Sequence, residues 1–273
     1  MPAGTPESGP VWSADALARD PHADDQKARK VQSMFAAIAA KYDLNNRLHS
    51  FWQDQRWRRQ AVGMAGIGPE TDVLDVACGT GDLSEAFADA RPRSVTGVDF
   101  TPEMLDVARR KAAPGPAGRP EVRYETGDAM QLRFADASFD VVSIAFGIRN
   151  VADPMRALRE FHRVLRPGGR LVVLEFADPT NPLVRFGSDL YTKRIMPWTA
   201  SLIAGDRSGA YHYLPRSVST FMQPQAFRRS LQDAGFAPKA AQSLTFGICV
   251  AHLAAKPGPD GAPAACGGRC GCC

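Results

Sequence analysis

The chain has 273 residues, 44% hydrophobic and 23% charged, and its 33 basic and 29 acidic residues leave a net charge of +4. That is ordinary globular composition for one or two domains, and so mild a balance does not argue for nucleic-acid binding. Met1 to Pro21 lacks the basic start and apolar core of a signal peptide, and no apolar run approaches the roughly 18 residues of a membrane span. Cys78 and Cys249 lie in apolar stretches and read as buried hydrophobes, whereas Cys266, Cys270, Cys272 and Cys273 crowd the C-terminus. A cytoplasmic, reducing setting with free thiols is the expectation.

In chain order, residues 1–26 are rich in Pro, Ala, Gly and Asp and read as a disordered tail. From Lys27, the residues Val31, Met34, Phe35, Ile38 and Ala39 make one apolar helical face. Lys41 to Asn46 reads as a polar break. Leu48, Phe51, Trp52, Trp57, Val62 and Met64 then predict a second helix or pair of helices. Residues 27–66 would form a helical lid over the sheet, either packing there or offering Tyr42 and His49 to a substrate. The basic runs Arg56-Trp57-Arg58-Arg59 and Arg109-Arg110-Lys111 read as solvated helix faces, with an anionic membrane surface as the alternative.

Val73–Val76 predicts a short buried strand, Gly79 and Gly81 a tight turn, and Leu83, Ala86 and Phe87 a following helix. Strand, glycine turn and helix make the nucleotide site of open α/β sheets. A dinucleotide fingerprint wants a third glycine; here that position is Ser84. Asp82 opens the helix and would repel a pyrophosphate docked there. Two acids beside the turn, Asp75 and Asp82, suit a ligand with an ammonium and a sulfonium, such as S-adenosyl-L-methionine. Strand two, Ser94–Asp99, ends in an acid close to the roughly 20-residue spacing of a ribose-binding carboxylate, although Asp99 also fits a cap for the helix through Met104–Lys111. Strand three, Val122–Glu125, leads into Gly127-Asp128-Ala129, where Asp128 can accept an adenine amino group. Strand four, Phe139–Phe146, is nearly continuous apolar sequence, as a strand covered on both faces should be. It delivers Gly147-Ile148-Arg149-Asn150 to the same crevice.

Met155, Leu158, Phe161 and Leu165 mark a helix that Pro167-Gly168-Gly169 should end. Strand five is Leu171–Phe176. Residues 179–222, with Leu183, Phe186, Leu190 and Tyr191, read as amphipathic helices interrupted at Pro197, packing on the domain, lining an apolar tunnel or touching a bilayer. A helix from Gln225 to Ala234 and an alternating edge strand, Leu244–Leu253, complete the reading. Residues 257–273 read as a flexible tail whose cysteine spacing is not that of a zinc site, so no metal is expected.

From about Val31 to Lys256 the chain resembles the ubiquinone/menaquinone biosynthesis C-methyltransferases, within the class I S-adenosylmethionine-dependent methyltransferases. The matching strings are Tyr42-Asp43-Leu44-Asn45, Asp75–Asp82, Gly97-Val98-Asp99, Gly127-Asp128-Ala129, Phe146-Gly147-Ile148-Arg149-Asn150-Val151, Leu165-Arg166-Pro167-Gly168-Gly169, Leu174-Glu175-Phe176 and Tyr213-Leu214-Pro215. The Phe-Gly-x-Arg-Asn, Tyr-Asp and Tyr-Leu-Pro strings are the most particular. The resemblance implies a Rossmann-like doubly wound α/β sheet, mostly parallel with an antiparallel edge strand. It implies methyl transfer to a ring carbon of a prenylated hydroquinone and cofactor contacts at Thr80, Asp99, Asp128 and Ala129, joining Asp75, Gly79 and Gly81 from the turn. Ala145 departs from members that carry Ser there as a further cofactor contact. Arg149, a poor base at its ordinary pKa, is expected to stabilise phenolate charge, with proton transfer through water as a further role; Asn150 and Tyr42 orient the ring, and His49 and His212 are weaker base candidates. A prenylated substrate implies a transient contact at the inner membrane face, and a homodimer or a quinone-making assembly is compatible. A dinucleotide-dependent oxidoreductase and a non-catalytic cofactor-binding scaffold are the competing classes; Ser84 and Asp82 speak against the first, the Arg149-Asn150 pair against the second.

Overall fold

The computed structural model describes residues 11–12, 20–112, 115–196, 199 and 209–258. Three helices come first: α1 (Lys27–Ile38), α2 (Tyr42–Ser50) and α3 (Gln53–Ala65). Strands and helices then alternate as β1 (Asp72–Val76), α4 (Asp82–Asp89), β2 (Ser94–Asp99), α5 (Pro102–Lys111), β3 (Val122–Thr126), β4 (Phe139–Ala145), α6 (Pro154–Val164) and β5 (Leu165–Phe176). A helical block follows, α7 (Pro182–Leu190) and α8 (Ala210–Thr220), then α9 (Pro224–Asp233), β6 (Ala237–Leu244) and β7 (Cys249–Ala255).

The strands form one seven-stranded sheet in the order β3-β2-β1-β4-β5-β7-β6. β1 to β5 pair in parallel and β7 is antiparallel to both β5 and β6. Alternate side chains of β1 serve opposite faces. Val73 packs with Trp57 and Ala61 of α3 and Phe87 of α4, whereas Leu74 and Val76 pack with Leu158 and Phe161 of α6 and Leu231 of α9. Helices therefore cover both faces, which explains why β1 and β4 are buried along almost their whole length. The order of connection reverses between β1 and β4, and a ligand crevice opens beyond their C-terminal ends.

Several expectations need correction. The tail expected over residues 1–26 ends earlier: Pro21 is buried, Trp12 stacks on Tyr213 at 4.6 Å, and His22 Nε2 meets Ser217 O at 2.9 Å. Since a carbonyl can only accept, His22 carries its proton on Nε2, and Nδ1 accepts from Lys27 Nζ at 3.1 Å. The polar break at Lys41–Asn46 is helix α2, held by tertiary contacts that override its polar composition; Asn45 is buried. Pro167-Gly168-Gly169 does not end a helix, because α6 stops at Val164 and these residues lie in the irregular start of β5, where the pairing with β4 shifts register. The last strand is interior rather than at an edge, since β6 covers it. β6 escaped notice because most of its side chains are exposed, and its Pro238 and Lys239 are residues that protect a sheet edge. Pro197 and the four C-terminal cysteines lie outside the described residues.

Candidate active site

A cavity opens beyond β1, β2 and β4. Its walls include Val31, Gln32 and Phe35 of α1, Tyr42, Gly79, Asp99, Met104, Asp128, Ala129, Ala145, Phe146 and Asn150. Of the residues singled out in the sequence, Tyr42, Gly79, Asp99, Asp128, Ala129 and Asn150 converge here, and helix α1 faces the same space. Asp75, Thr80, Gly81 and Arg149 are not among its walls.

The glycine turn explains this division. Gly79 has φ +57°, and a Cβ there would meet nothing within 4 Å, so its backbone borders open space. Gly81, at φ +85°, is crowded instead: a Cβ would strike the Tyr124 hydroxyl and come within 3.2 Å of Ala108. Thr80 is buried, and its hydroxyl donates to Asp43 Oδ1 at 2.5 Å. Asp75 does not face the ligand space as a free anion. It accepts from Ser84 Oγ at 2.6 Å and Ser143 Oγ at 2.7 Å, lacing β1 to α4 and β4. Burial pushes its carboxyl up to about 6 against these hydrogen bonds. Ser84, the residue that breaks the dinucleotide fingerprint, is thus the partner of a buried acid. Asp82 is likewise turned inward, to Lys111 Nζ at 2.6 Å, Gln55 Nε2 at 2.9 Å and Arg47 Nη2 at 3.2 Å. Burial works to raise its carboxyl, but Arg58, Lys111 and Arg47 outweigh this and hold it below the usual range.

Asp99 sits at the end of β2 and accepts from Gly79 N and Thr101 N, each at 2.8 Å. These bonds tie the glycine turn to the start of α5, yet an ionised carboxylate accepts about four hydrogen bonds, so acceptor capacity remains. Burial nonetheless raises its carboxyl. Asp128 Oδ1 accepts from Met130 N at 2.8 Å. Two acids among mostly apolar lining side chains fit an adenosine, whose ribose hydroxyls and adenine amino group are donors.

At the end of β4 the chain turns through a strained residue: Phe146 has φ +56°, as Ala77 beyond β1 has φ +52°. Positive φ in a bulky residue persists only where the surroundings enforce it. Here the Phe146 amide donates to Leu174 O at 2.7 Å, and its carbonyl accepts from Arg149 Nη1 at 2.9 Å and Asn150 Nδ2 at 3.2 Å. Asn150 Oδ1 in turn accepts from the Tyr213 hydroxyl at 2.9 Å. Arg149 is buried, with Nη1 on Glu175 Oε1 at 2.5 Å. Sequence reasoning missed Glu175 and Tyr213 as partners, although both stand in strings quoted above. Tyr42, which also lines the cavity, packs edge-on to Phe35 at 5.9 Å, and burial raises its phenol, keeping it a proton donor. His49 pairs instead with the Tyr191 hydroxyl at 3.0 Å, and His212 is exposed; neither borders the cavity. Arg58 is not solvated but buried in α3, with the Phe146 ring centroid 5.3 Å away.

The chain is 46% identical over 225 residues to the demethylmenaquinone methyltransferase of Thermus thermophilus, covering 82% of this chain and 100% of that one. The Deinococcus radiodurans protein of the same name is 44% identical, over 84% of this chain and 94% of its own. The ubiquinone/menaquinone biosynthesis C-methyltransferase UbiE of Geobacter sp. strain M21 is 40% identical, over 86% and 100%. Among solved structures, the [4+2]-cyclase SpnF superposes with a TM-score of 0.61 at 18% identity, covering 85% of this chain and 97% of that one. A SAM-dependent methyltransferase from Aquifex aeolicus gives 0.53 at 16%, covering 81% and 98%; at such identities the likeness is one of fold. The pattern of the ubiE/COQ5 methyltransferase family matches residues 23–256. The chain therefore belongs to the ubiE/COQ5 methyltransferase family, with the class I fold and S-adenosylmethionine as cofactor.

Proposed function

We propose that the protein methylates a ring carbon of a prenylated hydroquinone, demethylmenaquinol being the first acceptor to test. The observation that carries this is the similarity, over the full length of the Thermus protein, to a demethylmenaquinone methyltransferase. The Geobacter relative's printed name favours a second acceptor, the benzoquinol precursor of ubiquinol.

S-adenosylmethionine supplies an electrophilic methyl group on sulfur. Asp99 would accept from its ribose hydroxyls and Asp128 from its adenine amino group, with Gly79 and Ala129 leaving room for close approach and Asp75, Thr80 and Gly81 holding the turn from behind. Ala145 offers only a methyl where some relatives place a hydroxyl. A hydroquinone ring carbon becomes nucleophilic when the neighbouring hydroxyl loses its proton to water; its bond to the methyl carbon would form as the methyl–sulfur bond breaks, and the ring proton would then leave to solvent, restoring the aromatic ring. Tyr42 and Asn150, which both line the cavity, orient the ring. Arg149 stabilises the phenolate, working through a water because its guanidinium stands behind the Phe146 turn. The apolar side chains of α1 exclude bulk solvent, which strengthens each of these interactions.

The prenyl chain calls for an apolar surface. Leu183 and Phe186 of α7, Phe51 after α2 and Phe246 between β6 and β7 are 71–83% exposed. Phe51 lies 5.9 Å from Tyr191, just beyond α7, and Gly247 is beside Pro179, just before it. Arg185, on α7 beside Phe186, is exposed as well. Such a face suits transient contact with an anionic bilayer from which the substrate is drawn. No helix among the described residues is long and apolar enough to cross a membrane.

The deciding experiment is methyl transfer from isotopically labelled S-adenosylmethionine to reduced demethylmenaquinol and to a 6-methoxy-benzoquinol, read by mass spectrometry. Label on a ring carbon supports the reading, and the ratio assigns the acceptor. No label on either, with cofactor bound, overturns it.

A further inference from the structure

Arg58 carries a charge that the chain leaves under-used. It is 7% exposed, and its Nε and Nη1 are buried without a hydrogen bond. Its ion pair with Asp54, one turn earlier, is a loose one, 3.6 Å at Nη1, and supplies no hydrogen bond there. The Asp54 oxygens are taken by Ser50 Oγ at 2.8 Å and Gln55 Nε2 at 3.0 Å. A buried guanidinium in this condition is unfavourable until an anion completes it.

Its position points to which anion. The guanidinium is stacked against Phe146, a cavity wall. Its field also reaches Tyr42, on the same cavity, and Asp75 and Asp82, which flank the glycine turn. The other cations nearby are committed, Arg149 to Glu175, Lys111 to Asp43 and Asp82, and Arg47 to Asp82. Among the described residues, the cavity walls include no cation. The cofactor's methionyl end bears a carboxylate, and with the adenosine at Asp99 and Asp128 that end would lie toward the glycine turn.

We propose that Arg58 binds the α-carboxylate of S-adenosylmethionine through the N–H groups it leaves free, acting as a cofactor-binding residue outside the glycine motif. The inference rests on the adenosine placement given above. It also accounts for a buried arginine in α3: the charge is completed when cofactor binds.

The test is a binding cycle on the full chain by calorimetry, comparing S-adenosylmethionine with decarboxylated S-adenosylmethionine in the wild type and in Arg58→Gln. The substitution should weaken S-adenosylmethionine by about thirtyfold or more and leave the decarboxylated ligand unchanged or tighter. Arg58→Lys, which keeps the charge, should fall between. Equal loss of both ligands, or no loss of either, would overturn the assignment; a fall in turnover with cofactor affinity intact would do so too and would give Arg58 to the quinol. Asp99→Ala, expected to weaken both ligands alike, tests the adenosine placement separately, so the two readings can fail independently.

Discussion

Arg149 and Glu175 meet at 2.5 Å with both side chains almost wholly inaccessible. The pair braces the Phe146 turn from behind, since the same Nη1 also donates to the Phe146 carbonyl. Removing one partner strands a buried charge, at a typical cost of about 3–5 kcal/mol. Glu175→Leu and Arg149→Met should each destabilise on that scale, whereas the double substitution should be less harmful than the sum. Urea unfolding of the four proteins measures the coupling. Turnover should fall in all three variants, with cofactor affinity nearly unchanged in Arg149→Met.

Asp75 predicts a pH dependence of stability. Its ordinary value of 3.8 rises to about 6 in the folded chain. Between those values the folded state holds more protons than the unfolded one, so stability falls as pH rises through that window. The full effect is about 2–3 kcal/mol. Asp75→Asn should flatten the slope of unfolding free energy between pH 4 and 6 without abolishing it, because burial raises Asp99 as well.

The two glycines of the turn should fail differently. Gly81→Ala drives a methyl into the Tyr124 hydroxyl, itself fixed to Glu85 Oε1 at 2.8 Å, and should cost about 2–4 kcal/mol of stability. Gly79→Ala meets no atom and should cost only about 1 kcal/mol from its positive φ. Its methyl projects into the open space beside the turn, so cofactor affinity should drop more than stability. Thermal melting and cofactor titration of both variants separate the cases.

For the apolar face, the triple substitution Phe51→Ser, Leu183→Ser and Phe186→Ser should weaken co-sedimentation with anionic vesicles by about tenfold or more. Methylation of a short-chain, water-soluble quinol should survive it. Equal loss of both activities would count against a bilayer contact.

The sheet was legible where local composition carries the information. β4 announces itself as a mostly apolar run, β1 by its short apolar stretch before the glycine turn, and Asp99 by its spacing from that turn. What failed to show depends on partners distant in sequence. Asp75 reads as a ligand acid until Ser143, from another strand, is seen to occupy it. Arg58 reads as surface because its neighbours Arg56 and Arg59 are exposed, although the helix turns it inward beside Trp57. Glu175 has no local mark of its pairing with Arg149. β6 lacks any apolar alternation because an edge strand leaning on one neighbour needs none.

The stacking of Trp12 on Tyr213 has a consequence for how the gene is handled. Tyr213 holds Asn150, so a side chain from the start of the chain is two contacts away from the cavity wall. Removing residues 1–12 would look harmless if only the catalytic strings were compared. It would instead unseat Tyr213, and recombinant versions that differ only in their leading residues should differ in turnover.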